Sequence, residues 1–185
     1  MLKETHQIYL AAINKNSYKT IFYAQEVLTP IGCLIAVADN SYLYACFFTN
    51  DSIIKSIEKL LKTYNAKITF KTNKITSQTK DQLDKYFKIE LRDFSIPLQL
   101  TGTNFQKQVW QQLIKIPYGE TISYLEEARE IGKPTAFRAV ANANGKNILP
   151  IIIPCHRVIN TNGKLGGYTG GLDKKEYLLN LEKTI

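Results

Sequence analysis

The residues of this 185-residue chain that could do chemistry crowd into one stretch. Pro154-Cys155-His156-Arg157-Val158 follows the apolar run Ile151-Ile152-Ile153 and precedes Gly166-Gly167-Tyr168-Thr169-Gly170-Gly171. A thiol at the end of a buried run, beside an imidazole and a guanidinium, is the setting of a nucleophilic cysteine, because the thiolate attacks and a neighbouring base or cation favours it. If Ile151–Cys155 is extended, Ile153 and Cys155 face one way and His156 the other. A proton path from thiol to imidazole then needs a water or a bend at Pro154. A third group should orient the imidazole. Glu182 lies four residues from Leu178 and three from Leu179, on the inward face of a C-terminal helix that Asp173-Lys174-Lys175-Glu176 opens as a capping box. Burying a carboxylate unpaired is expensive, and His156, one of only two histidines, is its best partner.

The elements that must position these groups fall into two parts. Ile21–Tyr23, Gly32–Val37 and Tyr42–Phe48 read as strands, with hairpin turns at Thr29-Pro30 and Asp39-Asn40-Ser41. Asp51–Tyr64 has helical spacing through Ile53, Ile57, Leu60 and Leu61, with Asp51 or Ser52 as N-cap, and a second helix covers Ser77–Phe87. Cys33 and Cys46 lie inside strand patterns and read as packed side chains. Asp93–Thr103 connects this part to a helical one. There Phe105, Val109 and Leu113 form a stripe with Trp110 and Ile114 beside it, and Pro117-Tyr118-Gly119 ends the helix. Ser123-Tyr124-Leu125-Glu126 is a capping box that opens a helix from Tyr124 to about Ile131. Gly132-Lys133-Pro134-Thr135 turns the chain into a third helix, about Thr135–Ala143. Two short helices joined by a glycine turn have the form of a helix-turn-helix. Alanines at 136, 139, 141 and 143 keep the third helix thin, either to approach a nucleic-acid groove or to pack tightly on a neighbour.

The bulk properties narrow the class. Apolar residues make up 44% and charged residues 22%, as in a soluble globular protein. The net charge of +8 permits an anionic partner such as nucleic acid. It is not concentrated: from Leu100 onward eleven Lys/Arg face seven Asp/Glu, half of the excess. Three widely spaced cysteines exclude a disulfide framework and a Cys-x-x-Cys zinc pair. No apolar segment suits a signal peptide or a membrane span, and the cytoplasm is the expected location.

Ile153-Pro154-Cys155-His156-Arg157-Val158-Ile159 resembles the active-site signature of the O6-alkylguanine-DNA alkyltransferases, the methylated-DNA–protein cysteine methyltransferases. The resemblance extends through Phe105–Trp110, Ile116–Tyr124, Arg138-Ala139-Val140, Asn147 and Tyr168–Leu172, strongly over about 103–182. It implies an α+β protein: a ribonuclease-H-like α/β domain over 1–95, and a mostly helical domain with a helix-turn-helix over 96–185 that binds DNA and accepts the alkyl group. Cys155 would take the alkyl group from guanine O6, and the resemblance leaves O4 of thymine open as a second substrate. Its thiolate would be favoured by the His156–Glu182 pair through a water. Arg138 would fill the space left by the flipped base, Tyr124 would press on the target phosphate and donate to the guanine, and Asn147 would brace the link to the active-site strand. Val158 would present a carbonyl to the exocyclic amine, and Tyr168, Thr169 and Gly170 would close the base pocket. The implied partner is double-stranded DNA carrying alkylated guanine, met by a monomer without cofactor, metal or membrane. Ile148 stands where many members have proline, Thr169 where serine is frequent, and Phe137 where a small residue is usual, which fits if its ring turns into the core.

Two other classes compete. A DNA-binding regulator, or a non-catalytic lesion binder, could use the same helices, although Cys155 is superfluous to both. A Cys–His hydrolase could use the thiol, although adjacent Cys155 and His156 and the lack of an oxyanion motif oppose it.

Overall fold

Alternation of apolar side chains builds the first part of the fold. The computed structural model describes residues 18–49 and 53–183. Strand β1 (Thr20–Thr29) buries Phe22, Ala24 and Val27, while β2 (Gly32–Ala38) and β3 (Leu43–Phe48) are buried along nearly their whole length. β1 pairs antiparallel with β2, and β2 with β3. A fourth strand, β4 (Ala66–Thr69), lies parallel to β1, so the sheet order is β3-β2-β1-β4. Four residues that include Lys67 carry too little pattern to be read as a strand. β1 also runs well past the expected Tyr23, because Gln25 and Glu26 keep their pairing with β2.

Helix α1 (Ile53–Tyr64) buries Ile57, Leu60 and Leu61, as its spacing predicts; its expected N-caps lie outside the described residues. Helix α2 (Lys74–Phe87) begins three residues before the expected Ser77, because the Asn73 side chain accepts from Thr76 N at 2.9 Å while the Thr76 hydroxyl accepts from Asn73 N at 3.0 Å. Cys46 is fully buried, which pushes its thiol up to about 12, and burial also raises Cys33. Neither thiol is poised to react.

Of the described residues, those up to Leu91 together with Ser95–Gln99 form one compact unit; Arg92–Phe94 and those from Leu100 form a second. The second holds α3 (Asn104–Leu113), β5 (Ile122–Ser123), α4 (Tyr124–Glu130), α5 (Phe137–Asn144), β6 (Val158–Ile159) and α6 (Leu172–Glu182). The Ser123–Glu126 capping box that starts α4 is present, with Ser123 N donating to Glu126 Oε2 at 2.6 Å and Glu126 N to Ser123 Oγ at 3.1 Å. α3 stops at Leu113, before the expected Pro117, and leaves Ile114 exposed. The third expected helix begins later than Thr135: Pro134–Ala136 is a single 3-10 turn and α5 starts at Phe137.

Two expectations about the chemical stretch fail. The run before Cys155 is not extended. Ile151 has φ +73°, Ile153 N donates to Leu149 O at 2.8 Å to close a turn, and Cys155–Arg157 is itself a 3-10 turn. A β-branched residue in the left-handed region is strained by about 1–3 kcal/mol, so side-chain bonds must hold this loop. Nor does Asp173 cap the last helix. Gly171, at φ +103°, is the N-cap residue without a side-chain bond, and Asp173 sits exposed in the first turn. No described helix is long and apolar enough to cross a membrane.

Candidate active site

Asn147 shapes the loop that presents the thiol. Its Oδ1 accepts from Leu149 N at 2.9 Å, and its Nδ2 donates to Ile153 O at 2.9 Å and to Cys155 Sγ at 3.2 Å. One buried amide therefore fixes the strained turn and addresses the sulfur. Short parallel pairing of β5 with β6 sets Ile122 beside Val158, which brings the start of α4, and so Tyr124, alongside the segment that follows the thiol.

Helix α6 supplies the groups behind this loop. Glu182 is buried, and its Oε1 accepts from His156 Nε2 and from one terminal nitrogen of Arg157, both at 2.9 Å. Its Oε2 accepts from Arg157 Nε at 2.9 Å and from Gly119 N at 3.1 Å. The other terminal nitrogen of Arg157 donates to Ile116 O at 2.6 Å. Although burial opposes ionisation, these donors and the Arg157 charge hold the Glu182 carboxyl well below the usual carboxylate range. An ionised Glu182 can only accept, so the imidazole proton sits on Nε2. Burial depresses the basicity of His156, which leaves a neutral ring whose Nδ1 is a free acceptor with no hydrogen-bond partner among the described residues.

Cys155 is buried, and that burial pushes its thiol up to about 11, against the Asn147 bond and the charge of Lys175, which lower it. At neutral pH the resting sulfur is a thiol, so the thiolate must form as a base takes its proton. Lys175 adds a buried cation that acts on the thiol. Its buried ammonium donates to Val158 O at 2.6 Å and to Gly166 O at 3.4 Å and lies 5.8 Å from the Tyr124 ring centre. Burial lowers Lys175 to about 8, while Cys155 opposes that shift. The Val158 carbonyl expected to face a ligand amine thus already accepts from an ammonium, with one lone pair left. Gly166 lies against Tyr124: a Cβ there would fall 2.5 Å from the Tyr124 hydroxyl oxygen, so only glycine lets the loop pass.

The structure gathers Cys155, His156, Glu182, Asn147, Tyr124 and Val158. The Tyr168 ring stands edge-on to His156 with centroids 6.4 Å apart. Thr169 and Gly170 belong to the loop before α6, and Thr169 is exposed with its hydroxyl 3.5 Å from Gly145 O. Arg138 is exposed on α5, with its guanidinium 5.6 Å from the Phe137 ring. Phe137 is 41% exposed and does not turn into the core. The alanines of α5 divide between the two readings: Ala143 is buried and its carbonyl accepts from Trp110 Nε1 at 2.9 Å, whereas Ala139 is exposed beside Arg138. Among the described residues no three His, Cys, Asp or Glu side chains gather to hold a metal ion.

Residues 104–184 match the family described as 6-O-methylguanine DNA methyltransferase, DNA binding domain. Over 135 residues the chain is 49% identical to the methylated-DNA–protein-cysteine methyltransferase of Mycobacterium tuberculosis, spanning 72% of this chain and 82% of that one. The chain belongs to the methylated-DNA–protein-cysteine methyltransferase family. The constitutive Bacillus subtilis member is 40% identical over 162 residues, 87% of this chain and 95% of that one. The crystal structure of the M. tuberculosis O6-methylguanine methyltransferase in complex with DNA superposes with a TM-score of 0.76 at 41% identity, covering 88% of this chain and 93% of that one. The mixed α/β architecture is therefore the family's.

Sequence reasoning missed Lys175 and the full part of Arg157. Lys175 lies three residues before Leu178 and seven before Glu182, on the inward face; reading 173–176 as an exposed cap hid it. Replacing Lys175 by methionine should slow alkyl uptake about 10- to 100-fold, since the ammonium charge that favours the Cys155 thiolate is lost and each 1.36 kcal/mol is tenfold in rate. Single-turnover rates at pH 7 check this, and an unchanged rate would remove the ammonium from the account of reactivity.

Proposed function

We propose that Cys155 is the acceptor in the family's reaction, taking the alkyl group from O6 of guanine in double-stranded DNA. Transfer of a methyl group from DNA to a protein cysteine, which repairs the DNA, is the activity of this family and of this chain. The observation that carries the assignment is a buried thiol beside a neutral imidazole whose Nε2 proton is pinned by Glu182 and whose Nδ1 is open. A water between Sγ and Nδ1 carries the thiol proton to His156. The sulfur attacks the saturated carbon, the S–C bond forms as the C–O6 bond breaks, and the electron pair leaves on guanine. The proton returned through Tyr124 or the relay lets the base depart neutral. A thioether has no carbonyl for water to attack, so the protein reacts once.

The alkylated oxygen is inaccessible in the base stack, and the nucleotide must be extruded, for a few kcal/mol. In this reading α4 and α5 are the helix-turn-helix, and Arg138 at the exposed start of α5 enters the duplex to fill the gap. Tyr124 presses on the target phosphate and donates to the flipped guanine. Val158 O takes the exocyclic amine with its remaining lone pair, and the Tyr168–Gly170 loop closes over the base. The protein works as a monomer through backbone contacts of little sequence preference. The first unit, three antiparallel strands extended by a parallel fourth, supports the ribonuclease-H-like reading of residues 1–95, with 96–185 as the catalytic domain.

Incubation with O6-benzylguanine, or with a duplex containing O6-methylguanine, should add one alkyl mass, mapped to Cys155, with no second turnover. Repeated product release would mark a hydrolase; binding without an adduct would mark a regulator or lesion binder.

A further inference from the structure

One buried carboxyl in the second unit takes no part in the chemistry above. Glu127 lies one helical step after Tyr124 on α4 and is completely buried, opposite Asn144, the buried last residue of α5. Asn144 Nδ2 donates to Glu127 Oε2 at 2.7 Å. The remaining oxygens of the pair, Glu127 Oε1 and Asn144 Oδ1, have no hydrogen-bond partner among the described residues. Among the described residues no cation shifts the carboxyl, not even Arg129 of its own helix. Its own helix adds the like charge of Glu130, and Tyr124 and Cys155 also feel it. Of the elements packed on α4, α3 has only Lys107 and α5 only the exposed Arg138 as charged side chains, while β5, β6 and the 3-10 turn have none.

Two acceptor oxygens left over beside a single N–H···O contact is the pattern of a missing proton. A carboxylic acid and a primary amide are complementary at both ends: the amide N–H donates to one carboxyl oxygen, and the acid O–H donates to the amide oxygen. We propose that Glu127 is a positioning residue that works as a neutral acid, paired at two points with Asn144, clamping the helix of Tyr124 to the helix of Arg138. Burial raises Glu127 to about 8, in keeping with a proton retained at neutral pH. The clamp reaches the thiol: Asn144 O accepts from Asn147 N at 3.1 Å, and the Asn147 side chain donates to Cys155 Sγ. Neutrality matters as well, because the charge of an ionised Glu127 raises the Cys155 thiol. The functional half of this inference rests on Cys155 being the acceptor.

Glutamine is the matched probe, since an amide reproduces both hydrogen bonds without an ionisable proton. The carboxyl carbon of Glu127, assigned in 13C NMR by its loss in E127Q, should show the shift of a protonated acid at pH 7 and titrate near pH 8. Single-turnover alkylation by O6-benzylguanine should proceed at the same rate in both proteins at pH 6.5. By pH 9 the wild type should fall at least threefold behind E127Q, as the new charge opposes the thiolate. The linkage with stability has a definite sign. A carboxyl whose folded value lies above its unfolded 4.5 keeps its proton only in the native state over that window, so native stability declines as pH rises from about 4.5 and levels off above about 8. The urea midpoint of E127Q should therefore exceed that of the wild type by a margin that widens from pH 5 to 8 and then stays constant. A carboxylate shift at pH 7, or rate ratios and midpoint differences flat with pH, overturns the proposal. The NMR and urea arms need no alkyl transfer, so they remain decisive even if wild-type protein forms no adduct on Cys155.

Discussion

Cys155→Ser should form no alkyl adduct with O6-benzylguanine or methylated duplex under conditions that alkylate the wild type completely, and it should remain folded. The hydroxyl can occupy the place of the sulfur and still accept from Asn147 Nδ2, so the loop keeps its bracing. Loss of a longer, more polarisable atom from a buried site should lower stability by only about 1 kcal/mol. Reactivity is another matter. Burial already pushes the thiol up to about 11, and the neutral His156 offers an open Nδ1 to take that proton only as the S–C bond forms. A serine hydroxyl is far less acidic than a thiol and gives a hard alkoxide poorly suited to a saturated carbon, so neither His156 nor Lys175 can compensate. Intact-mass measurement after long incubation decides the matter. An adduct of unchanged yield on the serine variant would place the acceptor elsewhere, and neither Cys33 nor Cys46 offers an activated thiol.

The pairing at the heart of the site was legible because it depends on helix periodicity and on the expense of burying charge. Glu182 had to face inward with Leu178 and Leu179, and few partners existed for it. The conformation of the thiol loop was not legible. Three consecutive isoleucines have strong strand preference, and the side chain of Asn147, bonded to Leu149 N and Ile153 O, joins the backbone turn in holding Ile151 at a positive φ. A tertiary bond there overrides local propensity. Yet the conclusion drawn from the extended reading survives: no hydrogen bond joins thiol and imidazole, since Nε2 is taken by Glu182 and Nδ1 has no partner. Lys175 and Glu127 were hidden for a shared reason. Each stands within a tetrad or run of charged residues that reads as a solvated helix start, and only the helical step to Leu178 or from Tyr124 places it inward. In the first unit, β4 was invisible because four residues borrow their strand conformation from β1.

Glu182→Gln should destabilise the second unit by about 3–5 kcal/mol, the range for breaking a buried ion pair by removing one partner. The variant keeps the volume of the side chain but turns one acceptor oxygen into a donor amide, aimed at groups that are all donors: Arg157, the His156 N–H and Gly119 N. Arg157 stays buried, and besides Ile116 O only one side-chain oxygen is left for Arg157, His156 and Gly119 to share. The pH dependence identifies the cause. Because Glu182 is held well below the usual carboxylate range in the native state, its contribution is fully present above its unfolded value of 4.5 and fades as pH falls toward the native value. Urea midpoints of wild type and E182Q should be far apart at pH 7 and converge below about pH 4, the opposite trend to that expected for Glu127. Alkyl transfer should fall with stability, by roughly 10²–10⁴, because the imidazole loses the partner that pins its proton to Nε2 and leaves Nδ1 to act as base. A variant within 1 kcal/mol of the wild type at pH 7 and still fully active would mean that Arg157 and His156 hold their places without the carboxylate, and the relay would need a different origin.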